Sequence, residues 1–360
     1  MSHKTQQGAA GGLDRRDVLR TGAVGSGLGV LGAALGGVRS ARAAGLVPQH
    51  PRFRFVFVNH VTTNPFFTAT QNGMRDACAV YGAESQWTGS ANSIAAEMVS
   101  AMNSAVAAKA DAIAVCLVDP HAFNAPVERA LAAGIPVFAY NADAPVSSGN
   151  KRLAYIGQDL FKAGQLMGQR ILDLVPSGRV ALFIATPGQL NIQPRIDAAQ
   201  DVLRKSGRNY QIDIVATGAT VNEEISKVKA YYLGHQDVKG MFAVDGGTTQ
   251  GIAEAMQQYG LVAKGAHGGG FDLLPRTLQL INEGHLDFTI DQQPYLQGYY
   301  TVVEMFNFLV SGGLVGPADI NTGLKFVTKG SVAPYLSTKT RYEGSATAVE
   351  FIHRSGPIQS

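Results

Sequence analysis

Thr62-Thr63-Asn64-Pro65-Phe66-Phe67 places an amide, a proline and two adjacent rings directly after an apolar run, Phe53 to Val58. Pro65 can begin a helix and Asn64 can cap it. A turn therefore accounts for two of these residues and leaves the rings open. They can pack against the next helix, or they can lie against the apolar face of a small ligand while Asn64 bonds its polar edge. Other stretches repeat the arrangement. Tyr140-Asn141-Ala142-Asp143-Ala144-Pro145 reads either as a loop of turn formers or as Asn141 and Asp143 poised to bond hydroxyls. Asn191 and Arg195 lie four apart, on one face at the start of a helical pattern. An arginine there opposes the helix dipole, which hints at a local anion or a polar ligand. Asp245, Asp272 and Gln292 each follow another apolar run, and His60 ends the first.

Short apolar runs alternate with longer amphipathic ones. Runs at 53–58, 85–88, 112–118 and 137–140 read as strands, with helices over 65–81, 93–108 and 122–133 between them. A second series has strands at 180–185, 212–216, 241–244 and 269–271, with helices over 191–205, 222–233 and 247–258. Most of the strands are apolar on both faces, as buried parallel strands are. The fold class is α/β: two Rossmann-like, doubly wound parallel-sheet lobes. Such sheets bind ligands beyond the carboxyl ends of their strands, where the polar and aromatic residues fall.

The 360 residues suit two domains, and a hydrophobic fraction of 46% can fill two cores. Residues 1–43 are set apart. Arg15-Arg16 precede a soft, glycine-rich segment from Thr21 to Val38, and Ala41-Arg42-Ala43 offers a small-x-small cleavage site. This pattern predicts a twin-arginine export signal and a periplasmic protein. The core of the signal is too weakly apolar to span a membrane stably. The segment carries six of the 30 Lys and Arg and two of the 27 Asp and Glu, which leaves 24 basic and 25 acidic residues. The overall basicity belongs to the signal and gives no support to nucleic-acid binding. Cys116 reads as a small core residue and Cys78 lies in a helical pattern, and two unpaired thiols are expected. Exported enzymes are the rival class, but the chain has no Gly-x-Gly-x-x-Gly after its first strand, no phosphate loop, no Gly-x-Ser-x-Gly elbow and no close histidine pair. An enzyme is not expected, and neither is a cofactor or a metal.

The segments "NPFF", "GIPVFAYNADAP", "YIGQDLFKAG", "NIQPRIDAAQ", "GGFD" and "FTIDQQPYLQGY" occur in that order. Together they resemble the type I periplasmic solute-binding proteins of the ribose, galactose and related simple-sugar ABC transporters, from Phe53 to about Tyr342. The resemblance implies an N-terminal lobe of residues 44–157 plus 293–325 and a C-terminal lobe of 158–292 plus 326–345. Three crossovers would join them, followed by a tail at 346–360. By the same resemblance Asn64 and Phe66 take a polar contact and ring stacking, with Phe67 as a further ring. Asn141 falls where relatives bond sugar hydroxyls, and Asn191 and Arg195 on the second-lobe polar pair. Asp245 falls on a position often Asn, Asp272 on the Gly-Phe-Asp carboxylate, and Gln292 on the amide at the last crossover. Where ribose binders carry Asp-Arg, this chain reads Asn141-Ala142. Losing that guanidinium argues against ribose, because a site built on hydroxyl contacts rejects mismatched ligands strongly. The implied ligand is another simple sugar or a polyol, captured by hinge closure in a monomer and delivered to a membrane permease. A sensory receptor presenting the same ligand to a membrane partner remains the alternative. A repressor on this fold would need a helix-turn-helix where the export signal stands.

Overall fold

The computed structural model describes residues 49–337. The export signal expected over 1–43 and the tail expected over 346–360 lie outside the described residues. The first series forms β1 (Arg54–Asn59), α1 (Phe67–Tyr81), β2 (Glu84–Gly89), α2 (Ala95–Ala107), β3 (Ala112–Val115), α3 (Asn124–Ala132), β4 (Val137–Tyr140) and β5 (Tyr155–Gly157). The second forms α4 (Leu160–Leu174), β6 (Gly178–Ile184), α5 (Gln193–Lys205), β7 (Tyr210–Ala216), α6 (Val221–Gly234), β8 (Gly240–Ala243), α7 (Gly246–Gln258), β9 (His267–Phe271), α8 (Pro275–Glu283) and β10 (Phe288–Asp291). Then come α9 (Pro294–Ser311), β11 (Asp319–Asn321), β12 (Lys325–Val327) and α10 (Ala333–Ser337).

These strands make two six-stranded sheets, ordered β11-β5-β4-β3-β1-β2 and β12-β10-β9-β8-β6-β7. Neighbours run parallel except for the antiparallel edge strand β12 beside β10. Central β3 (AIAV), β4 (VFAY) and β8 (GMFA) are buried at every residue, because helices cover both faces. Edge strand β7 (YQIDIVA) alternates partly covered and open positions along much of its length. Phe55, Phe57, Phe138 and Tyr140 fill the first core, and two further clusters cover the faces of the second sheet. Cys78 and Cys116 are both buried and not joined to each other.

The chain passes between sheets after β5, between β10 and α9, and between β11 and β12. The last lobe boundary, expected after residue 325, falls earlier: Lys325 already pairs with Asp291 in the second sheet. Helix α9 returns to the first lobe and packs on α1 with almost no separation. A Cβ added at Gly73 would lie 2.0 Å from the Tyr295 carbonyl oxygen, and one at Gly298 2.0 Å from that of Thr70. Only glycine permits this contact, which fixes α9 and the Gln292-Gln293 crossing ahead of it.

Helices expected from Pro65 and Asn191 begin two residues later. Asn64 and Gln189 first close turns, bonding the N–H groups of Phe67 and Ile192 at 3.0 and 3.2 Å. The third strand, expected to reach Val118, stops at Val115. Leu117 bonds the Ala142 carbonyl instead, and Val118 receives the Leu190 N–H of the other lobe.

Candidate ligand-binding site

The carboxyl ends of both sheets face each other around a cavity of about 60 Å³ open to the centre of a water molecule. His60, Asn64, Phe66, Phe67, Asn141, Asn191, Arg195, Asp245, Asp272 and Gln292 all line it. From the first lobe, Asn64 Oδ1 accepts the Phe66 N–H at 3.0 Å, which sets the ring beside its own amide. Phe67 is 2% exposed and packs edge-on against His60 and Phe66, at 5.2 and 4.7 Å between centroids. Phe67 is thus core and wall at once, while half-buried Phe66 is wall.

Asn141, Asp272 and Gln293 have φ of 63°, 75° and 55°, left-handed turns immediately beyond or near strand ends. Asn and Asp tolerate this conformation best among residues with a Cβ. A relay of amides crosses the hinge. Asn141 Nδ2 donates to Gln297 Oε1 at 3.1 Å, Gln297 Nε2 to Gln292 Oε1 at 3.1 Å, and Gln292 Nε2 to Asp272 Oδ1 at 2.6 Å.

In the second lobe Arg195 is buried. Its Nη1 donates to the Val244 carbonyl at 2.9 Å and its Nη2 to Gln158 Oε1 at 2.8 Å, and the guanidinium lies 4.1 Å over the Phe271 ring. Burial lowers its pKa against the opposing pull of Asp272, Tyr155 and Asp245, and it stays a cation. Asp245 caps α7, accepting the Thr248 N–H at 2.9 Å and the Ala185 N–H at 3.1 Å. Burial raises its carboxyl. Burial also lifts Asp272 to about 6, with Arg195 and Gln292 holding it down.

The lobes are closed on each other. Ser93 Oγ donates to Gln189 Oε1 at 2.5 Å, Gln189 Nε2 to the Ser93 carbonyl at 2.8 Å, and the Leu190 N–H to the Val118 carbonyl at 2.9 Å. Asn191 Nδ2 meets His60 Nε2 at 3.1 Å, so with this amide orientation the His60 proton sits on Nδ1. Burial keeps that ring neutral, its pKa lowered to about 3. His60 Nδ1, Asn191 Oδ1, Arg195 Nε and Glu224 Oε2 are buried with no donor–acceptor partner among the described residues. A closed site that leaves donors and acceptors unspent is matched by a ligand offering both.

Asp143 is a correction: it does not line this cavity. The left-handed turn at Asn141 swings the chain away, and Asp143 pairs with Arg152, whose Nε donates at 2.8 Å. It lines a separate groove with Tyr155 and Phe161. Sequence reasoning missed Glu224 and Ser93, which line the cavity, and Gln158, Gln189 and Gln297, which brace it. Gln297 stood in a quoted motif. Glu224 gave no signal beyond an acidic residue in a helix's first turn.

Two α/β lobes closed on a ring-walled polar cavity define a solute-binding protein. Residues 55–312 match the periplasmic binding protein domain family, and the chain belongs to it. It is 52% identical to the xylose/arabinose-binding protein XylF of Sulfolobus acidocaldarius, over 84% of this chain and 78% of that one. A solute-binding protein of an ABC transporter from Burkholderia graminis, solved with D-arabinose, superposes with a TM-score of 0.73 at 25% identity, covering 80% of this chain and 99% of that one. A carbohydrate transporter protein from Acidothermus cellulolyticus, solved with myo-inositol, gives 0.70 at 26% identity, covering 81% and 99%.

Proposed function

We propose that this chain is the sugar-capturing component of an ABC importer and that its ligand is a neutral pentose of the xylose and arabinose kind. The observation that carries this reading is the cavity between the lobes, lined by two rings and by amides, carboxylates and a guanidinium from both lobes. Its about 60 Å³ holds the centres of roughly four to six waters, the room one sugar ring needs. With Asp272 largely ionised at neutral pH and Asp245 beside it, the carboxylates outnumber the single guanidinium, which disfavours acidic sugars. The relative named for xylose and arabinose points to the pentose size class.

In this reading Phe66 and Phe67 cover the ring face. Asn64, Asn141, His60 and Gln292 bond hydroxyls from the first lobe and hinge, and Asn191, Arg195 and Asp272 from the second. Contacts from both lobes favour the closed form, because only that form makes all of them. Closure excludes water and offers the permease a distinct surface. Export before residue 44 by the twin-arginine route would deliver the protein to the outer side of the membrane. No helix among the described residues is long and apolar enough to cross it.

The test is calorimetry and thermal unfolding of residues 44–360 with pentoses, hexoses, polyols and uronic acids. A pentose at about a thousandfold excess over its Kd stabilises the protein by about 4 kcal/mol. Binding confined to hexoses or polyols removes the pentose assignment and keeps sugar capture; folded protein that binds none of the panel removes both.

A further inference from the structure

Two helix N-termini converge beside the cavity, those of α6 and α7, and each places its positive dipole end toward carboxyl groups. Adjacent glutamates at the start of α6 do different things. Glu223 turns back to its own N-cap, where Thr220 Oγ1 donates to it at 2.9 Å in a capping box. Glu224 turns inward, is 2% exposed, and lines the cavity. Its Oε2 fills the space a side chain at position 247 would take: a Cβ on Gly247 would lie 1.5 Å from it. A glycine at 247 is therefore a condition for Glu224 to reach the site.

Burial and the neighbouring Asp245 carboxylate both push the Glu224 carboxyl up, so the pair carries one proton rather than two negative charges. The other partners of the pair decide where the proton sits. Asp245 Oδ1 accepts the Thr248 N–H at 2.9 Å and its Oδ2 the Ala185 N–H at 3.1 Å, while the Thr248 hydroxyl pairs with that of Thr217 at 2.8 Å. Glu224 Oε2 has no N–H or O–H donor among the described residues. Asp245 is accordingly the anion, and Glu224 the protonated acid beside it. A carboxylate has about four acceptor sites. Two backbone N–H groups already bond both oxygens of Asp245, so it has less to offer a ligand than Glu224 has. Glu224 Oε2 keeps an unspent acceptor.

We propose that Glu224, and not Asp245, is the carboxyl group that bonds a sugar hydroxyl at this end of the cavity, and that Asp245 is the positioning residue that holds it. This rests on the sugar-binding reading above. The charged and titratable groups around Glu224 are Asp245 at the start of α7, Asp272 after β9, Glu223 on its own helix, and Arg195 on α5, which faces both aspartates. Neutral Glu224 spares this group a further negative charge.

The experiment measures Kd by calorimetry for D-xylose, L-arabinose, D-lyxose and D-ribose, with wild-type protein, Glu224→Ala, Glu224→Gln and Asp245→Asn. These sugars differ by the orientation of single hydroxyls. Glu224→Ala is expected to weaken the best ligand about tenfold or more and to change its preference over at least one epimer about fivefold. Glu224→Gln, which keeps a neutral side chain beside Asp245 and an acceptor for the sugar, stays within about threefold of wild type. Asp245→Asn lowers thermal stability and weakens all the sugars alike. An unchanged epimer ratio in Glu224→Ala, or a larger change in Asp245→Asn, overturns the assignment. If wild type binds no pentose, the pentose reading fails first and separately.

Should Glu224→Ala not fold, the pH profile decides. Burial and the neighbouring Asp245 raise the Glu224 carboxyl to about 10. Wild-type affinity then falls as pH rises through that value, while Glu224→Gln holds its affinity further. Identical profiles overturn the proposal.

Discussion

Replacing Asp272 by Asn tests the electrostatics of the cavity in one residue. Burial lifts this carboxyl from 3.8 to about 6, so ionising it in the folded protein costs free energy that the unfolded chain does not incur. Each pKa unit corresponds to about 1.36 kcal/mol, which puts the full cost at about 3 kcal/mol. Below pH 3.8 both states carry the proton and the cost is absent; above about 6 both are ionised and it is complete. Between those values the folded state binds more protons, so this group makes stability fall as pH rises, opposite to ordinary acid denaturation. The amide of the Asp272→Asn variant does not titrate. The stability of this variant relative to wild type should therefore rise by about 2–3 kcal/mol from pH 4 to pH 8. The amide oxygen can still receive Gln292 Nε2, which now sits 2.6 Å from Asp272 Oδ1. Losing a charged acceptor should nevertheless weaken sugar binding about 10- to 100-fold near neutral pH. Urea unfolding of the ligand-free mature protein at a series of pH values measures the first effect, and calorimetry the second. A stability difference that stays constant with pH would refute the reasoning, since a carboxyl buried at this cost cannot be silent across the range.

Two further perturbations test the closure and the correction. Gln189→Ala removes both Ser93 bonds between the lobes, at 2.5 and 2.8 Å. It should weaken the sugar about 5- to 20-fold and enlarge the particle in X-ray scattering at subsaturating ligand, because it costs the closed form alone about 1–2 kcal/mol. Unchanged affinity and scattering would mean that these bonds do not set the closure equilibrium. Asp143→Asn breaks the pair with Arg152, whose side chains are 17% and 21% exposed. Stability should drop by about 1 kcal/mol while sugar affinity stays within about twofold. A tenfold loss of affinity would return Asp143 to the site.

Local pattern determined much of this protein. Runs apolar on both faces, such as Ala112 to Val115, can be buried only inside a covered parallel sheet. Asn64, Arg195 and Asp272 were legible because each is a polar residue stranded where a buried strand ends or a helix begins. The short strands β5, β11 and β12 have three residues each, too few to show a period, and α9 is helical on an apolar background without a clear polar stripe. Phe66 and Phe67 could not be divided between wall and core from their spacing, because the division depends on His60 and the neighbouring ring packing. Asn141 and Asp143 look equivalent in the chain; one left-handed turn sends the first into the cavity and the second to Arg152. Glu224 and Ser93 sit in ordinary helical or loop sequence and become site residues only when two lobes far apart in sequence close. A sequence specifies which faces must be buried, since that is a local property of residue type and period. Which polar atoms then share protons depends on distances between segments, and only the tertiary structure fixes those.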